Sequence, residues 1–181
     1  VITPQIRRSA LGNFPLGTPF LIVAAESSGF AQIVAERGDP TVAWTPLTTE
    51  PPPSATPHVL LEGIDDLFDP VAYLRELRTA MPDARIFALI SNAGHLTGLG
   101  AFFAGRPLAA GHPISHGEIG PLFADAGWNV LAIKPLPDDA LPPADAAPVV
   151  VTVGGIGLQC FTADALERGR TAGFLVIADR A

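Results

Sequence analysis

The chain has 181 residues, 48% of them hydrophobic, a positive mean hydropathy and a formal net charge of −7. That length and composition fit one globular α/β-sized domain over 1–181 with a real core, and they exclude a disordered chain. The acidic balance excludes a nucleic-acid backbone as main partner, since Arg7–Arg8 is the one basic pair. Cys160 stands alone, which excludes an internal disulfide framework and a cysteine-based zinc site. The apolar runs are strand-sized and no secretory leader is visible, so a cytoplasmic protein without a membrane segment is expected. The first residue is Val1 and the one methionine is Met81, so a piece of a longer polypeptide is also expected.

Residues 1–19 read as an N-terminal extension. "FLIVAA" from Phe20 is a buried strand, and "SGFAQIVAER" an amphipathic helix with Phe30, Ile33 and Val34 on one face. "TVAW" is a short strand, followed over 46–57 by a loop too proline-rich for a helix or a central strand. "HVLLEG" resumes as a strand. "FDPVAYLRELRTAMPDA" is a helix that Asp69 can cap, with Pro70 at its first position and Val71, Leu74, Leu77 and Met81 on one face. "ARIFALIS" is a strand, "NAGHLTGLGAFFAG" a loop and short helix, and "HGEIGPLFADAGW" a helix ending near Gly127. "NVLAIKPL" is a strand, 135–148 an exposed Pro/Ala loop, "VVVTVGG" a strand, "TADALERGRTAG" a helix and "FLVIADR" the last strand. Strand and helix alternate with short links, the pattern of a mostly parallel twisted sheet with helices on both faces.

The run "HVLLEGIDDLFDPVAYLRELRTAMPDARIFALISNAGHLTGLGAFFAGRP" resembles the second half of a class I S-adenosylmethionine-dependent methyltransferase. In that family a strand ends in an acidic or polar cluster, a D-P opens a helix with an L-R-E-L-like core, and a strand and an Asn-led loop follow. "HGEIGPLFADAGWNVLAIKPL" is similar to the family's next helix, turn and strand, and "FLVIADRA" to its last strand, which inserts antiparallel. The "AERG" closing the first helix is also common there. The resemblance implies a Rossmann-like α/β fold, S-adenosylmethionine as cofactor and a small-molecule or glycan acceptor.

The first turn departs from that pattern. The family places an acid and a G-x-G-x-G run there, because glycine lets the backbone approach the cofactor. Here Ile22 stands at the acid's position, and Ala24, Glu26 and Ser28 at the glycines'. Glu26 also puts a carboxylate near that of the methionine moiety, a repulsion of about 1 kcal/mol or more. The second strand should end in an acid for the ribose, but Trp44 and Thr45 stand there. The stretch 46–57 is too short for the family's third strand and its helix, so that strand is expected to be missing.

On the resemblance, Ala24, Glu26, Ser27, Ser28, Glu62 and Asp65 would line the cofactor, and Asn92 and His95 would orient or deprotonate the acceptor. Each has a plainer reading. Ser27 and Ser28 suit a helix N-cap, Asp65 and Asp66 a solvated loop, Asp69 a helix cap, and His95 a polar loop residue. His112, His116 and Glu118 have the residue types of a metal site, but Ser115 followed by His116 more simply opens a helix, and no metal is expected. "VGGIG" lacks the lysine of a phosphate loop and reads as a turn. Cys160 is expected to be buried and inert. Two functions follow: a methyltransferase with an unusual cofactor loop, or a non-catalytic interaction or structural domain of a longer, for instance sugar-modifying, protein that has lost the cofactor.

Overall fold

The structure, a computed structural model, describes residues 2–24, 29–38, 41–45 (backbone only), 57–105, 114–153 and 155–181. Among them, six strands form one sheet in the order β2-β1-β3-β4-β8-β5. β1 (Phe20–Val23) lies parallel between β2 (Thr41–Thr45) and β3 (His58–Glu62), and β3 pairs in parallel with β4 (Arg85–Ser91). The last strand, β8 (Thr171–Arg180), inserts antiparallel between β4 and β5 (Trp128–Pro137). This is the Rossmann-like α/β sheet with an antiparallel last strand that the sequence leads one to expect. Residues 46–56, where a strand is expected to be missing, lie outside the described residues, as do the side chains of Trp44 and Thr45.

Two-residue periodicity in the central strands feeds two apolar layers. Phe20, Ile22, Leu60, Phe87 and Leu89 point to one face and pack with Ile6 and Leu11 of α1 (Pro4–Leu11) and Phe30 and Val34 of α2 (Phe30–Arg37). Leu21, Val23, Val59, Leu61, Ile86, Ala88 and Ile90 point to the other. They meet Leu74 and Leu77 of α3 (Pro70–Ala80) and Ile119 and Phe123 of α5 (His116–Asp125). Asp69 caps α3 through a 2.8 Å bond from the Ala72 N–H, with Pro70 in the first turn, as read from the sequence. The indole N–H of Trp128 donates to the Leu74 carbonyl at 2.9 Å and ties β5 to that helix.

Three elements differ from the sequence reading. The expected N-terminal extension contains α1, capped by Thr3 and opened by Pro4, with Ile6, Ala10 and Leu11 buried. The Arg37 guanidinium donates to the carbonyls of Leu11, Phe14 and Pro15 and fixes the link from α1 to β1. The loop expected from Pro135 begins later, because β5 runs on to Pro137. As the edge strand it tolerates prolines that donate nothing to a ladder, and Leu141 beyond it is buried. Finally, β6 (Val149–Val153) turns back into an unanticipated strand, β7 (Ile156–Cys160), forming a separate antiparallel hairpin. A third apolar cluster holds the hairpin to α4 (Leu96–Phe103) and α6 (Ala163–Arg170) through Leu96, Leu141, Val151, Cys160 and Leu166. The helix α6 stops at Arg170, short of the expected 173, because residues 171–173 are already paired in the sheet.

Candidate functional site

In an open parallel sheet, ligands bind at the carboxyl ends of the strands. Here those ends carry Ala24 after β1, Glu62 closing β3 and Ser91 closing β4. Ala24 is fully buried and packs in the layer with Ile22 and Phe30, so its methyl group serves the core. Glu26, Ser27 and Ser28 lie outside the described residues.

Glu62 is buried, and both its oxygens are taken by Arg7 of α1. The Arg7 Nε donates to Oε2 at 2.9 Å and to Oε1 at 3.1 Å, and Nη2 donates to Oε1 as well. Burial pushes the Glu62 carboxyl above its ordinary pKa, while the Arg7 guanidinium pulls it the other way. Gly63, at φ 93, turns the chain into a short 3-10 segment, Ile64–Asp66. Asp65 on that segment accepts the Ser91 N–H at 3.2 Å and so secures the end of β4. Burial raises the neighbouring Asp66, and the Asp65 charge adds to the shift.

The turn after β4 brings Asn92 and His95 together, with the His95 N–H donating to the Asn92 carbonyl at 3.2 Å. Asn92 is an internal clamp. Its side-chain amide donates to the carbonyls of Thr171 at 2.7 Å and Arg168 at 3.1 Å, and its oxygen accepts the Gly94 N–H at 3.0 Å. His95 opens α4 but is only 4% exposed, so its ring is enclosed by the protein. Its Nε2 meets Asp138 Oδ2 at 3.1 Å, and burial lowers the imidazole pKa against the opposing pull of Asp138.

Beyond that turn opens a cavity of about 770 Å³, a volume suited to a small organic molecule. Its wall includes Asn92, Leu96, Leu99, Pro135 and Phe174, together with Ser115 and His116 at the start of α5. A bridge between Asn92 and Ile114 brings α5's start beside β4. Ser115 opens the helix as its sequence predicts: the Glu118 carboxylate accepts its N–H at 2.8 Å and its hydroxyl at 2.6 Å. Those bonds lower the Glu118 pKa. His116 is thus a wall residue of the cavity, a role that nothing in "GHPISHGE" announces. It depends on where Phe174 and Asn92, remote in the chain, come to lie. Among the described residues, no group of three His, Cys, Asp or Glu could hold a metal, and His112 lies outside them. No described helix is long and apolar enough to cross a membrane.

No protein-family model matches the chain, and no curated protein matches it. Its fold does match solved structures. The mitomycin 7-O-methyltransferase MmcR superposes with a TM-score of 0.60 at 16% identity, over 98% of this chain and 53% of that one. The Burkholderia thailandensis 1,6-didemethyltoxoflavin-N1-methyltransferase, with bound 1,6-didemethyltoxoflavin and S-adenosylhomocysteine, gives 0.57 at 10% identity, over 98% and 77%. A Thermotoga maritima SAM-dependent methyltransferase gives 0.56 at 13% identity, over 97% and 87%. The chain thus spans about half the length of the first and most of the other two. It has the fold of the class I S-adenosylmethionine-dependent methyltransferases.

Proposed function

We propose that the chain is a small-molecule methyltransferase-like domain that keeps an acceptor-sized cavity beyond β4 and has closed its donor side. The occupant of the cavity is a small organic molecule, free or carried on a glycan. The observation that carries this reading is the Arg7–Glu62 pair. The one acid closing a described strand at this end of the sheet is already held by two-pronged, charge-assisted bonds, so its charge is neutralised by the chain's own Arg7 and not kept open for a ligand. Ala24 is core, Asp65 holds Ser91, and Asn92 holds Gly94, Arg168 and Thr171. On this reading the described strand ends are committed to the chain's own bonds and not to S-adenosylmethionine. The side chains that replace the expected glycines at 24, 26 and 28 argue the same way.

A second reading, a working methyltransferase on a small acceptor, draws support from the cavity itself and from the likeness to an enzyme solved with both an acceptor and S-adenosylhomocysteine. Titration calorimetry with S-adenosylmethionine separates the two. The proposed reading expects no heat at millimolar concentrations, and clear micromolar binding would overturn it in favour of the second reading.

A further inference from the structure

The cavity wall carries several polar side chains, but most are committed elsewhere. Asn92 is bonded to Gly94, Arg168 and Thr171, and the Thr171 hydroxyl donates to the Glu167 carbonyl at 2.9 Å. Ser115 is bonded to Glu118, Arg168 meets Asp164 at 2.6 Å, and Glu167 meets Arg170 at 3.5 Å. His116 differs. It is exposed on the wall, its ring lies 5.2 Å from that of Phe174 at a tilt of 48°, and no described group bonds its ring nitrogens. The exposed His116 ring, packed on the nearly buried Phe174, thus presents a free hydrogen-bonding edge to a space that Leu96, Leu99 and Pro135 bound together with the committed polar groups.

We infer that His116 and Phe174 form the recognition face for a flat aromatic molecule carrying a hydroxyl or similar hydrogen-bonding substituent. The inference rests on the acceptor-cavity reading and specifies its occupant. A flat ring gains edge or offset contacts with the paired rings that a puckered, saturated ring of equal size does not. An imidazole can donate through one nitrogen or accept through the other, so His116 meets a hydroxyl in either sense. His116 is a binding residue here, and no proton transfer is assigned to it.

The test uses the intact chain and two probes, 2-naphthol and its saturated counterpart decahydro-2-naphthol, titrated while the imidazole resonances of His116 are followed by NMR. The expected result is that 2-naphthol shifts those resonances and binds about tenfold or more tightly than the saturated alcohol. His116→Ala should weaken 2-naphthol about tenfold, the scale of one lost hydrogen bond with its ring contact. His116→Phe, which keeps a ring, and His116→Gln, which keeps a hydrogen-bonding group, should each recover part of the loss. Because His116 is exposed, these variants should melt with the parent. Equal affinity for both probes, or a His116→Ala protein that binds like the parent, would overturn the inference and leave the cavity reading standing. If neither probe binds, or if filling the space by Leu99→Trp leaves 2-naphthol binding unchanged, the cavity reading fails and the inference falls with it.

Discussion

Arg7 and Glu62 stand 55 positions apart and meet with both carboxylate oxygens engaged, each residue being less than a tenth exposed. A buried ion pair of this kind is asymmetric: its net worth is small, but removing one member strands the other in a medium that solvates charge poorly. Arg7→Ala should therefore lower the free energy of unfolding by about 3–5 kcal/mol, measured by urea denaturation at neutral pH. The double replacement Arg7→Met with Glu62→Leu should recover most of that loss. If both proteins unfold like the parent, the pair is not the anchor that its geometry indicates. The sequence shows the two residues but not their meeting. An arginine in an N-terminal stretch and a glutamate ending a strand look alike whether they face solvent or each other, and only the docking of α1 decides. For the same reason Asn92 reads as a site residue and turns out to hold three backbone groups.

At the scale of elements, what the chain announces locally is what it builds. The D-P start of α3, the serine that opens α5 and the alternating buried strands are all visible in the sequence, because caps and periodicity are short-range signals. The elements that escape notice depend on neighbours. β5 absorbs Pro135 and Pro137 only because it lies at an edge, and β7 exists only because β6 offers a partner. Gly173 marks one such dependence in β8. A Cβ there would fall 2.6 Å from the Ile90 carbonyl oxygen and 2.7 Å from the Ile2 side chain. The isoleucine can move aside, but the carbonyl belongs to β4 and is held by the ladder. Gly173→Ala should thus destabilise by about 1–3 kcal/mol, the range of an overpacked site, seen as a lower melting temperature with unchanged far-UV circular dichroism. An alanine protein as stable as the parent would mean that β4 and β8 part more easily than their register implies.

At the scale of the molecule, three elements meet at a junction that its acid response can expose. Asp138 receives Nε2 of His95, while its own N–H donates to the Arg170 carbonyl at 2.8 Å, so α4, the turn after β5 and the end of α6 meet there. Burial holds the His95 imidazole below its ordinary pKa, so the folded protein takes up a proton there less readily than the unfolded chain does. The sign follows: His95 contributes stability that is present above the unfolded value of about 6.5 and is lost as pH falls through the lower folded value. Glu62 works in the opposite sense. Its raised pKa contributes stability present below the unfolded value of about 4.5, lost as pH rises through the folded one. The two windows can overlap, so the measurement must isolate the histidine. Urea unfolding at about pH 7.5 and about pH 5.5, on the parent and on His95→Leu, does so, because Glu62 contributes alike to both proteins. The parent should lose more stability than the variant on acidification. At the higher pH the variant should lie below the parent by about 1–3 kcal/mol, since Asp138 then lacks its buried partner. Parallel losses in the two proteins would mean that the junction keeps its proton balance on unfolding, and that His95 is not the group through which acid loosens this fold.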